Sequence, residues 1–227
     1  MCGIAGIIGN RRVNSDAVEH MNLLQEHRGP DDSGVWKSTE GNIVFGHQRL
    51  SIIDTSSAGH QPMEIDSHVI TFNGEIYNYL EIGAELKAAG VELETSSDTE
   101  VLLKAYQTWG DEALGKLNGM FAFAIYDANQ HRLFCARDRF GEKPFLFHSS
   151  DECFAFASEY KALLALNNID SAYDQDRILR FLYHPTRGLD DDIQTVFNDI
   201  KQLPPGHSLT LDCNSLDYQI QRYWDIE

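Results

Sequence analysis

The feature that most limits what this chain can fold into is the shortness of its apolar runs. The longest, Met120-Phe-Ala-Phe-Ala-Ile-Tyr126, is seven residues. A membrane-spanning helix needs about 20 apolar residues, whereas a strand buried on both faces needs only a short continuous run. Strand-like stretches recur at 3–8, 33–37, 43–47, 69–73, 120–127, 132–137, 145–148 and 153–157, most of them bounded by turn residues. Helical patterns are fewer. One runs from Ser15 to Glu26 and is stopped by Arg28-Gly29-Pro30; another covers Tyr79 to Ala89, before Gly90. The clearest spans 98–109: Ser97-Asp-Thr-Glu100 reads as a capping box, Val101, Leu102, Ala105, Tyr106 and Trp109 share one face, and Gly110 closes it. A helix at 175–183 precedes a turn-rich tail from His184 onward. Bunched strands with few helices between them predict an α+β fold with largely antiparallel sheets covered by helices. Regular strand–helix alternation is absent, which argues against a doubly wound parallel sheet.

With 227 residues there is room for one large domain and a short appendage. The 18 basic residues against 35 acidic ones leave a formal charge of −17, which excludes a phosphate-tracking partner and an anionic membrane face. Cys2, Cys135, Cys153 and Cys213 lie too far apart for a Cys-x-x-Cys pair. The apolar start, Ile4 to Ile8, precedes its basic pair, Arg11-Arg12, the reverse of a secretory signal. A cytoplasmic chain is expected. The nine histidines show no zinc-ligand spacing, and no metal is expected.

Four positions could carry chemistry. Removal of Met1 would leave Cys2 with a free α-amine, whose pKa near ~7.7–8.0 suits it to act as base for its own thiol. Asn73-Gly74 reads in two ways: as the tip of a type I′ hairpin, or as a side-chain amide and a backbone N–H converging on a developing oxyanion. Arg49 can pair with a substrate carboxylate or with one of the many acidic side chains. Asp98 can satisfy its own helix N-terminus or hold a substrate ammonium. Together, a nucleophile, oxyanion donors, a carboxylate binder and an amine binder describe one ligand, an α-amino acid with a reactive side-chain amide.

The opening Met-Cys-Gly-Ile-Ala-Gly6 resembles class II glutamine amidotransferases, N-terminal nucleophile hydrolases in which the second-position cysteine attacks. His27-Arg-Gly-Pro-Asp-Asp-Ser-Gly34, Gly46-His-Gln-Arg-Leu-Ser-Ile-Ile-Asp54, Gly59-His-Gln-Pro-Met63 and Phe72-Asn-Gly-Glu-Ile-Tyr-Asn-Tyr79 are similar to the asparagine synthetase branch. So are Ser97-Asp-Thr-Glu-Val101, Gly119-Met-Phe-Ala-Phe-Ala-Ile-Tyr-Asp127, Ala136-Arg-Asp-Arg-Phe-Gly-Glu-Lys-Pro144, Phe154-Ala-Phe-Ala-Ser-Glu159 and Leu203-Pro-Pro-Gly-His207. The resemblance runs the length of the chain, in order; Ser97 departs from other small residues common at that place. It implies a four-layer αββα sandwich of two antiparallel sheets. It implies Cys2 as nucleophile, Asn73 and the Gly74 N–H as oxyanion hole, and Arg49 on the α-carboxylate of L-glutamine. Leu50, Ser51, Ile52 and Ile53 would line the site, and Glu75 and Asp98 would recognise the α-amino group.

The same resemblance divides the chain into a glutaminase domain, 1–212, and a terminal segment, 213–227, leading toward a synthetase domain that would receive ammonia. No Ser-Gly-Gly-x-Asp-Ser loop, Walker A or Gly-x-Gly-x-x-Gly sequence is present, so no cofactor is expected in this chain. ATP and Mg²⁺ would belong to the synthetase domain or subunit. A truncated chain or a separately encoded half is expected, and a homodimer is compatible with it. Three other readings stay open: an acceptor that is a sugar acid or antibiotic intermediate, a hydrolase of some other amide, and a non-catalytic glutamine-binding regulatory module.

Overall fold

Both faces of the long strands are apolar, and the fold answers with an apolar layer on each face. The structure, a computed structural model, describes residues 1–185, 188 and 193–226. One sheet runs β10 (Lys201–Gln202), β8 (Leu146–Ser149), β9 (Cys153–Ala157), β1 (Gly3–Gly9), β3 (Ile43–Arg49), β2 (Asp32–Lys37). The other runs β12 (Tyr218–Arg222), β11 (His207–Asp212), β7 (Arg132–Arg137), β6 (Gly119–Asp127), β5 (His68–Ile76), β4 (Met63–Ile65). Neighbouring strands in each sheet pair antiparallel. Ile4, Ile8, Phe45, Ala122, Ala124, Phe154 and Phe156 meet between the sheets. Their neighbours of opposite parity, Ala5, Ile7, Val44 and Ala155, pack under α1 (Ser15–Leu24) and α5 (Tyr160–Leu164). Phe72, Phe121, Phe123 and Ile125 pack under α2 (Tyr79–Ala88), α3 (Asp98–Trp109) and α4 (Ala113–Lys116). This is the αββα sandwich that the period-two alternation requires. Rings fill the centre: Phe145 stacks on Phe156 at 5.4 Å and Phe147 on Phe154 at 5.5 Å. A Cβ on Gly6 would fall on the Phe156 ring, so the central strand must be bare there. No helix among the described residues is long and apolar enough to cross a membrane.

One strand edge matters more than the rest. β4 pairs with β5 only at His68, Val69 and Ile70, so from Thr71 onward that edge of β5 has no strand neighbour. On its other edge β5 pairs with β6 continuously to Ile76↔Gly119. Antiparallel ladders alternate the direction of main-chain groups. Phe121, opposite Gly74, turns away from β5: its N–H donates to Asp138 Oδ2 at 3.2 Å and its carbonyl accepts from the Asp138 N–H at 2.8 Å. Phe72, Gly74 and Ile76 therefore turn their main-chain groups to the open edge. Side chains replace the missing strand there. Gln61 Oε1 accepts from the Phe72 N–H (2.7 Å), His47 Nε2 donates to the Phe72 carbonyl (3.0 Å), and Asp98 Oδ2 accepts from the Ile76 N–H (3.0 Å).

The structure revises several expectations. Asn73 and Gly74 lie inside β5, paired with Ala122 and Phe121, so the hairpin-tip reading is wrong. A Cβ at Gly74 would collide with the Met120 carbonyl, so glycine serves close strand approach. The tail is not merely turn-rich: β10, β11 and β12 lie in it, and β12 extends the second sheet from within the segment 213–227. β10 and β12 are edge strands, and β11, which pairs with both β12 and β7, alternates polar and apolar residues. α1 ends at Leu24, two residues short of expectation, and a 3₁₀ turn, Glu26–Arg28, follows. Only half of the capping box forms: Ser97 accepts from the Thr99 N–H, but Glu100 turns instead to the N–H groups of Glu94 and Thr95.

Asp138 anchors the turn behind Gly74. Its carboxylate accepts from the N–H groups of Phe121, Phe140, Glu142 and Lys143, and it is 1% exposed. Asp138→Ala strands these donors and is expected to cost about 3 kcal/mol or more. Urea unfolding with an unchanged slope checks this; a loss below about 1 kcal/mol contradicts it.

Candidate functional site

At one end of the sandwich, the start of β1 and the end of β3 face the open edge of β5 across a cleft of about 110 Å³. Of the residues singled out in the sequence, Cys2, Arg49, Leu50, Ile52 and Ile53 line this cleft from one side. Asn73, Gly74, Glu75 and Asp98 line it from the other. Ser51 does not line it; its N–H donates to Asp31 Oδ2 at 2.8 Å and anchors the loop from behind.

Cys2 precedes β1 and lies beside the end of β3, because Gly3 pairs with Gln48. The Leu50 N–H donates to its Sγ at 3.4 Å, and the thiol points back to the Leu50 carbonyl at 3.7 Å. Burial pushes the thiol above its ordinary value, against the opposing pull of the Leu50 contact, the chain's amino terminus and Arg49. A thiol held up in this way is protonated near neutrality and needs a base before it can attack.

Arg49 ends β3, and its guanidinium pairs with main-chain oxygens instead of a carboxylate. It donates to the Ser56 carbonyl at 2.9 Å and to the Asp54 carbonyl. The loop that supplies these oxygens is fixed by the Asp54 carboxylate, which accepts from the Ser56 N–H, the Ser56 hydroxyl and the Ser96 hydroxyl. Those bonds, from Ser56 first, hold the Asp54 carboxyl below the usual carboxylate range. A Cβ on Gly59 would overlap Arg49 Nη2, so the loop closes on the guanidinium with no spare room.

The Asn73 side chain is fully buried, and neither Oδ1 nor Nδ2 has a hydrogen-bond partner within the protein. An unpaired buried amide typically costs about 1–3 kcal/mol, so such groups are rare away from functional sites. Gly74 adds a backbone N–H on the same strand, turned to the open edge. Asp98 reaches the cleft from the start of α3, and burial raises its carboxyl to about 6, with neighbouring Glu75 adding to the rise. One cleft thus presents a thiol, two neutral donors, a guanidinium and carboxylates. That suits a zwitterion with an electrophilic side-chain carbonyl.

Other residues at the site were not singled out by sequence reasoning, although each falls in a motif quoted for the family resemblance. Arg28 Nε donates to the Cys2 carbonyl at 2.9 Å, and its Nη1 is held by Glu159 at 3.0 Å. Burial pulls the Glu159 carboxyl upward, yet hydrogen bonds from Arg28, Lys161 and His27 hold it below the usual range. Gln61 links β5 to α3, since its Nε2 donates to Thr99 Oγ1 at 3.2 Å. Lys143 lines the cleft while only 5% exposed.

The family model for the glutamine amidotransferase domain matches residues 1–224. Asparagine synthetase [glutamine-hydrolyzing] 3 of Bacillus subtilis is 39% identical over 235 residues, covering 100% of this chain and 37% of that protein. A putative asparagine synthetase [glutamine-hydrolyzing] 2 of Methanocaldococcus jannaschii is 35% identical over 245 residues, covering 100% of this chain and 47% of its own length. The chain therefore spans less than half the length of these curated relatives. Among solved structures, the glutamine phosphoribosylpyrophosphate amidotransferase of B. subtilis superposes with a TM-score of 0.73 at 19% identity, over 98% of this chain and 49% of that one. That likeness concerns the fold. By its family match and its full-length similarity to these relatives, the chain belongs to the glutamine amidotransferase domain family, as a class II domain of N-terminal-nucleophile-hydrolase fold related to asparagine synthetases.

Proposed function

We propose that this domain hydrolyses L-glutamine to glutamate and ammonia through a thioester on Cys2. The observation that carries this reading is the unpartnered Asn73 amide beside an N–H on an open strand edge, in the cleft that holds the Cys2 thiol. With Met1 removed, the Cys2 α-amine takes the thiol proton. The thiolate adds to the side-chain carbonyl carbon of glutamine, and the oxyanion accepts hydrogen bonds from Asn73 Nδ2 and the Gly74 N–H. Collapse of the tetrahedral adduct breaks the carbon–nitrogen bond, and the protonated amine returns its proton to the departing ammonia. Water, deprotonated by the same amine, then cleaves the thioester and regenerates the thiol. Arg49 holds the α-carboxylate, and Glu75 with Asp98 holds the α-ammonium. The Arg28 bond to the Cys2 carbonyl holds the nucleophile's backbone while its amine does this work.

The ammonia goes to a synthetase domain or subunit, where ATP and Mg²⁺ act and aspartate is the acceptor. The names of the relatives and the fraction of their length that this chain covers support that reading. No cofactor is assigned to this chain's own chemistry.

Three outcomes follow. Cys2→Ala abolishes glutamate release without unfolding the domain, and Asn73→Ala lowers kcat about 100- to 1,000-fold, or about 2.7–4 kcal/mol; an active Cys2→Ala protein refutes the thioester. Gly59→Ala displaces the Arg49 guanidinium and raises KM for glutamine about tenfold with little change in kcat; an unchanged KM puts the carboxylate elsewhere. The third concerns pH. As pH falls through about 6, Asp98 is protonated and loses the charge that attracts the ammonium, so the affinity for glutamine, measured by binding to the Cys2→Ala protein, falls on the acid side with that midpoint. Stability has the opposite sign. A carboxyl raised above its unfolded value of about 3.9 contributes stability that is complete below that value and lost as pH rises through the folded value. Asp98→Asn is therefore expected to raise KM while raising Tm at pH 8, with the Tm gain shrinking toward pH 4. A Tm loss at pH 8 contradicts this.

A further inference from the structure

His47 stands outside the chemistry just described, yet it is fully buried between the two sheets, on the face of β3 that also carries Phe45. Its Nε2 lies 3.0 Å from the Phe72 carbonyl oxygen. A carbonyl only accepts, so Nε2 carries the proton and Nδ1 is a bare acceptor, and Nδ1 has no partner. Burial, reinforced by the nearby Arg49 charge, drives the imidazole down to about 4, so it is neutral at working pH. A ring that leaves one nitrogen unsatisfied is a poor choice for packing alone. What it secures is specific: the Phe72 carbonyl belongs to the peptide plane directly before Asn73. Asp98 secures the plane three peptides further on, through the Ile76 N–H. The Gly74 N–H lies between these two fixed points. A separate tether, from Thr71 Oγ1 to the Gly46 carbonyl at 3.1 Å, keeps β5 attached to the other sheet independently of the imidazole.

We propose that His47 is a positioning residue for the oxyanion-binding donors, its Nε2–H clamping the Phe72 carbonyl so that the Gly74 N–H and the Asn73 amide are held in a fixed direction. It touches no substrate atom. The inference rests on the glutaminase reading for its catalytic consequence, but the clamp itself is a property of the free domain.

The test compares wild type, His47→Phe and His47→Gln, whose side-chain amide can still donate to Phe72. Glutamate release gives kcat and KM, and the imidazole and backbone ¹⁵N resonances report the tautomer and the Asn73 and Gly74 amides. His47→Phe is expected to lower kcat tenfold or more with KM changed less than twofold, and to shift the Asn73 and Gly74 resonances. His47→Gln restores kcat to within about threefold of wild type. Equal impairment of the two variants, an unchanged kcat in His47→Phe, or an Nδ1–H tautomer in wild type overturns the proposal. Wild type that releases no glutamate refutes the glutaminase reading instead, and the tautomer and the Asn73 and Gly74 resonances then decide on His47. If His47→Phe does not fold, the wild-type tautomer and the Gln variant's resonances decide in the same way.

Discussion

Everything at this site depends on the late start of β4. Because that strand begins only at Met63, opposite Ile70, the second half of β5 runs as an unpartnered edge inside the protein, where its polar groups need other partners. The chain satisfies the edge with three side chains from three different segments: Gln61 from the loop before β4, His47 from the facing sheet, and Asp98 from the start of α3. Each of those segments also borders the cleft. The requirement to pair one strand edge therefore draws together the loop, the sheet and the helix that enclose the nucleophile. The Gly74 donor left between them is directed by its neighbours.

The residues at this end of the sandwich carry free-energy costs. Asn73 has an unpaired amide, Asp98 holds a carboxyl raised by burial, and the Cys2 thiol is raised in the same way. Elsewhere the two sheets are closed by stacked phenylalanines and by turns such as that of Asp138, in which each carboxylate oxygen receives N–H groups. An amide with both polar atoms unpaired, in a cleft that also holds a thiol and a raised carboxyl, marks a site arranged for a ligand that supplies the missing partners.

The long strands were legible because burial on both faces writes continuous apolar runs such as 120–126. β12 was not, because Tyr218-Gln-Ile-Gln-Arg222 at a sheet edge resembles an ordinary polar loop. Asn73-Gly74 was ambiguous for a different reason. The dipeptide that favours a hairpin tip is the same one that supplies an amide donor and a close strand approach, and only the pairing of β5 with β6 decides between them. Cys2, Arg49 and Asp98 were readable from residue type and from a recognisable family pattern. Arg28, Gln61 and His47 act on partners 26, 11 and 25 residues away in sequence, contacts that no local spacing encodes.

The central claim is that the open edge of β5 forms an oxyanion site for a glutamine side chain attacked by Cys2. The most direct measurement is a crystal structure of the Met1-processed domain alkylated at Cys2 by a diazoketone analogue of glutamine. The account requires the adduct's ketone oxygen within hydrogen-bond distance of Asn73 Nδ2 and the Gly74 N–H, with the α-carboxylate on Arg49. A ketone oxygen directed away from β5, with the Asn73 amide still unpartnered, would contradict it.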